Sequence, residues 1–94
     1  MVDKLEVKTS SALLHTGKGQ LAGFILSSSS AVASEVVTFY DNTAGSGTKL
    51  LEVNVWTNYP VHIFFPERLG PIFATGLYVC LAANLTCTVW YRTV

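Results

Sequence analysis

The sequence predicts an all-β chain, an antiparallel β-sandwich or jelly roll of seven to eight short strands. Three observations predict it. Runs rich in Val, Ile, Leu, Thr, Phe and Tyr are separated by glycine-containing or polar breaks every ten or so residues. No window keeps an i, i+3, i+4 apolar pattern for three turns without glycine, proline or a β-branched run, so helix content should be close to nil. The segment Glu35–Trp56 reads as a hairpin. Its arms Val36–Tyr40 and Lys49–Trp56 flank Asp41–Thr48, where Asp41, Asn42, Gly45, Ser46 and Gly47 supply turn chemistry.

In chain order, Val2–Thr9 alternates Leu5 and Val7 on one face with Lys4, Glu6 and Lys8 on the other. Residues 1–11 therefore form a half-buried edge strand or an extended arm, and 12–94 a single β-sandwich domain. Ala12–Leu14 is a short apolar patch before an expected turn at Gly17–Gly19. Gln20–Ser27 places Leu21 and Ile25 on one side and Ala22, Phe24 and Leu26 on the other, which suits a strand covered on both faces. Ser27–Ser34 reads as a surface loop. After the central hairpin, Asn58–Pro60 turns the chain and Val61–Phe65 forms a strand stopped by Pro66. A further turn at Glu67–Gly70 and a short extended piece, Pro71–Thr75, follow. The most regular alternation comes last, in a hairpin with arms Leu77–Ala82 and Leu85–Arg92.

Composition narrows the function. Of the 94 residues 50% are hydrophobic and only 13% charged, with zero net charge, so a small domain keeps much apolar surface and an oligomer or docked subunit is expected. Lys4, Lys8, Lys18, Lys49, Arg68 and Arg92 are spread singly, which argues against nucleic-acid binding. The start MVDKLEVKTS carries charge where a secretory leader needs an apolar run. No apolar segment approaches the roughly 20 residues that span a bilayer. A soluble chain made in the cytosol, with no membrane partner, is the expectation.

Catalytic and metal chemistry lack a constellation in the sequence. His15 and His62 have no HxxxH, HxH or His–carboxylate pairing. No serine sits in G-x-S-x-G, and the six carboxylates are scattered. Asp41 with Asn42 suits backbone N–H capture in a turn better than calcium binding. Gly17-Lys18-Gly19 lacks the remaining features of a phosphate loop. Cys80 and Cys87 would face each other across a two-residue turn at Ala83–Asn84, in a pair whose wider spacing suits two buried thiols better than a disulfide. Asn84 begins a formal glycosylation sequon and reads as a turn residue. We expect no enzyme, no cofactor and no metal. The candidate contact residues are Leu5, Val7, Trp56, Tyr59, Phe64, Trp90 and Tyr91, with aromatics more suited to core and interface packing than to a sugar platform.

Three stretches, SSALLHTGKGQLAGFILSSSS, VVTFYDNTAGSGTKLLEV and IFATGLYVCLAANLTCTVWYR, run from a Gly-rich turn through a Ser-rich loop and a Tyr-Asp-Asn turn to a final Val-aromatic-Tyr strand. In this order they resemble a loose group of small structural proteins of tailed-bacteriophage virions, over about four fifths of the chain. The resemblance rests on turn and strand patterns. It implies a non-enzymatic subunit, often in threefold assemblies, that decorates or cements a capsid through contacts with the major capsid protein or another virion protein. A head- or tail-fibre or spike component that binds a carbohydrate or receptor is the second expectation. The arm Val2–Thr9 departs from the glycine- and serine-rich style of the rest and suits strand addition to a neighbouring subunit.

Overall fold

The structure, a computed structural model, describes residues 3–28, 35–56, 60–66, 69–82 and 85–93. Tyr59, most of the serine-rich loop, and the expected turns at 58–59, 67–68 and 83–84 lie outside the described residues. The described chain holds nine strands and no helix: β1 (Asp3–Lys8), β2 (Ala12–Thr16), β3 (Gly19–Ser28), β4 (Glu35–Asp41), β5 (Thr48–Val55), β6 (Val61–Phe64), β7 (Ile72–Phe73), β8 (Gly76–Cys80) and β9 (Leu85–Thr93).

They form two antiparallel sheets. The first runs β1-β9-β3-β6, with β7 also on β3; the second runs β2-β8-β4-β5. The pairing nests inward along the chain, β1 with β9, β2 with β8, β3 with β6 and β7, and β4 with β5. Rolling this long ribbon brings β3 against β9 and β4 against β8. Such a rolled ribbon is a jelly roll with one short extra strand.

Nesting corrects one sequence expectation. Leu77–Ala82 and Leu85–Arg92 are strands but not a hairpin, because β8 belongs to the second sheet and β9 to the first. Alternation reports that a strand is half-buried, not which strand lies beside it. The cysteines are parted accordingly: Cys80 registers with Thr38, Cys87 with Leu26 and Lys8, and both are free thiols. Burial pushes the Cys87 thiol up to about 12, which suppresses the reactive thiolate. With an aromatic disulfide reagent at neutral pH, Cys87 should label only as fast as the domain opens, and in denaturant both thiols should label at once.

The core lies between the sheets. Leu21, Phe24, Leu26, Cys87 and Val89 meet Val37, Phe39, Val55, Leu77 and Val79, all fully buried. Phe24 and Phe39 form the central contact, with ring centroids 5.0 Å apart. The expected two-faced pattern of β3 is modified by a bulge between Leu21 and Gly23. The extra residue shifts the phase, so Leu21 joins Phe24 and Leu26 inside while Ile25 stays outside. Ala12–Leu14, expected only as an apolar patch, opens β2. A turn with Gly17 at φ 103°, in the left-handed region, leads from it into β3.

Asp41 ends β4 and ties the central hairpin to a distant turn. Its carboxylate accepts the backbone N–H groups of Ala74 at 3.0 Å, Thr75 at 2.8 Å and Gly76 at 3.4 Å. The Thr75 hydrogen bond, with those of Ala74 and Gly76, outweighs desolvation and holds the carboxyl below its ordinary value. A lowered folded-state value stabilises the fold above the unfolded carboxyl's pKa and ceases to do so as pH falls through the folded one. Asp41→Asn should therefore unfold more easily by about 1 kcal/mol at neutral pH, after allowance for solvent screening. The gap from the parent should close below about pH 4; thermal melts of both proteins between pH 2 and 7 measure it.

The Asp41–Thr48 loop folds back over the second sheet. Asn42 Nδ2 donates to the Ser46 carbonyl at 2.8 Å, and a Cβ on Gly45 would meet Cys80 Sγ at 2.8 Å and the Tyr78 ring at 3.1 Å. The outer face of β8 is covered by its own chain.

Candidate functional site

The outer face of the first sheet is built by register. Because Val89 and Tyr91 point into the core, Thr88, Trp90 and Arg92 point out. Trp90 is level with Leu5 of β1 on one side and Gly23 of β3 on the other, and Gly23 is level with Phe64 of β6. A line of Leu5, Trp90, Gly23 and Phe64 thus crosses four strands. The next line in register is Val7, Thr88, Ile25 and His62. Neither line contains a carboxylate, lysine or arginine.

Gly23 makes the first line continuous. A Cβ there would meet the Ile63 carbonyl oxygen at 2.8 Å and Phe64 Cδ1 at 2.9 Å, so only glycine lets the Phe64 ring lean across the strand. The ring then meets Trp90, with centroids 5.2 Å apart and planes at 48°. Beside this pair lies an open cleft of about 340 Å³ lined by Ala22, Phe64, Phe65, Trp90 and Arg92. Leu5, Val7, Phe64 and Ile72 are each more than half exposed, at 56, 60, 61 and 61%.

Strand β1 has the reverse of the orientation expected of a half-buried edge strand. Leu5 and Val7 face solvent, and Lys4, Glu6 and Lys8 take the inward side in register with Tyr91, Val89 and Cys87. The inversion has a partner to justify it. The Tyr91 hydroxyl lies 2.6 Å from Glu6 Oε2 and 2.8 Å from the Leu14 carbonyl, and Lys8 Nζ is 3.5 Å from Glu6 Oε1. At the open rim of a sandwich a charged inner row is hydrogen-bonded rather than stranded.

Of the candidate contact residues, Leu5, Val7, Phe64 and Trp90 come together on this face. Trp56 is 48% exposed but follows β5, an edge strand of the other sheet. Tyr91 is only 2% exposed and belongs to the core, where burial, aided by the Glu6 carboxylate, raises its phenol above the ordinary range. Its alternation with Trp90 and Arg92 already put it on the face opposite theirs. Ala22, Ile25, Phe65 and Ile72 were not singled out from the sequence. Ile25 and Ala22 needed the β3 bulge to be placed, whereas a glycine between aromatics on neighbouring strands is a signal visible only once register is known.

His15 packs in a ring cluster with Phe73 and Tyr91, at 6.0 and 5.5 Å, and His62 stands exposed on the outer face. Among the described residues no three His, Cys, Asp or Glu side chains converge as metal ligands. Among the described residues no helix is long and apolar enough to cross a membrane. What the exposed face can do chemically is bury apolar area against a matching surface. Compared with known proteins, the sequence matches no protein-family model and no curated protein.

Proposed function

We propose that this chain is a non-enzymatic structural subunit of a tailed-phage particle, made in the host cytoplasm, which decorates or cements the capsid through contacts with itself and with the major capsid protein or another virion protein. The observation that carries the reading is the exposed apolar face of the first sheet, held on a two-layer β scaffold. Jelly rolls serve capsid and lectin domains alike, so the fold supports this reading by analogy only. The resemblance of the three quoted stretches to phage structural proteins supports it from the sequence side. Repetition over a shell turns individually weak apolar contacts into a strong collective one.

Quantitative mass spectrometry of purified particles tests it. A copy number of the same order as the major shell protein is the expected result. Absence from particles would overturn the reading.

The Phe64–Trp90 pair favours a second reading, a fibre or spike component that stacks a sugar or other receptor group in the adjoining cleft. A copy number of a few tens or fewer, with glycan-array binding lost in Trp90→Ala, would establish that reading instead.

A further inference from the structure

We propose that the outer face of the first sheet is a self-complementary surface on which a second copy of this chain docks about a two-fold axis. Size is the first argument. The molecule measures 38 × 26 × 18 Å. The short dimension runs through the two stacked layers, since sheets pack about 10 Å apart, so the whole outline of one broad side, edges and loops included, is 38 × 26 Å, about 1,000 Å². A stable specific interface needs roughly 800 Å² from each partner. A contact of that size takes in most of one broad side, with the two apolar lines at its centre.

Charge is the second argument. In a two-fold contact a patch meets its own copy, so like charges near the axis repel while uncharged apolar groups do not. The two lines Leu5-Trp90-Gly23-Phe64 and Val7-Thr88-Ile25-His62 carry no carboxylate, lysine or arginine; Lys4, Glu6 and Lys8 of β1 are turned to the opposite side, and Arg92 points out beyond the Trp90 line, away from the centre of the two. The other broad side is unsuited to the role. It bears Glu52 with its Lys49 partner at 3.1 Å and the hairpin loop folded over Tyr78 and Cys80.

A threefold ring, expected from the resemblance, would set this face against a different face of the neighbour. The only other broad side is the charged, loop-covered one. The two-fold arrangement matches apolar to apolar, and it follows from the face alone, independent of any place on a virion.

Sedimentation equilibrium and light scattering on the isolated full chain test the proposal. From 10.2 kDa per chain, a mass of twice that value is expected at tens of micromolar. The double variant Leu5→Lys, Phe64→Lys sets like charges across the axis and should weaken association by about 100-fold or more while leaving the β-type circular dichroism unchanged. Val7→Lys, a single change at an exposed edge-strand position, gives the same reading if the double variant does not fold. A parent chain monomeric at 200 µM overturns the proposal. So does a trimeric mass, or a dimer that survives these substitutions and is lost instead on Val36→Lys, which lies on the other sheet. None of these outcomes bears on whether the chain is found in particles, so the virion reading stands or falls by its own test.

Discussion

Phe24→Ala should lower the unfolding free energy by about 3–5 kcal/mol. A domain of this size has about 5–14 kcal/mol in total, so the variant would be close to unfolding at 37 °C. The effect is large because of where the ring sits. Phe24 comes from the middle of β3 in the first sheet and Phe39 from β4 in the second, and their rings touch across the layer gap with no exposure on either side. Alanine leaves a cavity bounded by two sheets whose spacing is fixed elsewhere, so collapse onto the space is restricted. Phe24→Leu fills most of it and should cost only about 1–2 kcal/mol. Urea unfolding of the three proteins separates the cases. Equal midpoints for Phe24→Ala and the parent would mean that the two sheets are not held by this contact.

Gly70→Ala should cost about 3 kcal/mol, comparable to a buried cavity. A methyl group on Gly70 collides with the Leu21 carbonyl oxygen, which is backbone and cannot rotate away, and Phe65 Cβ closes the other side at 3.3 Å. The collision falls on a seam. Gln20 Nε2 donates to the Gly70 carbonyl at 2.9 Å, and the Leu21 N–H donates to the Pro71 carbonyl at 2.9 Å. Moving the loop outward breaks both bonds and uncovers Gln20, a side chain only 4% exposed. The same damage should surface in hydrogen exchange, with the Leu21 amide losing protection ahead of the Phe39 amide. If both amides keep their parent protection, the loop accommodates the methyl group by another route.

Much of the fold was legible because alternation is a local property. Leu85, Cys87, Val89 and Tyr91 against Thr86, Thr88, Trp90 and Arg92 is the burial pattern of β9 residue for residue. The hairpin of β4 and β5 was legible from the polar stretch between them. Three things were not. A bulge, as at Leu21/Gly23 or Leu13/His15, moves every later side chain to the other face without a composition signature. Alternation also fails to say which of two faces is inside. In β1 the decision for the charged one is made by the Tyr91 hydroxyl, 85 residues from Glu6. Finally, strand partners are set by the roll of the whole ribbon. The apolar surface was thus legible as a list of residues such as Leu5, Phe64 and Trp90, but not as a line.

The nested pairing also dictates when the first sheet can come into being. Strand β9 lies inside that sheet, between β1 and β3, yet it is the strand synthesised last of the nine. While the ribosome is still extending the chain, β1 has no sheet neighbour and β3 has only its β6 and β7 side, so apolar residues such as Phe24 wait unburied. The pair β4 and β5 can close first, as neighbours along the chain. Completion of the first sheet therefore waits on a slow, non-local closing step, and the nascent chain is most exposed to aggregation just before β9 emerges.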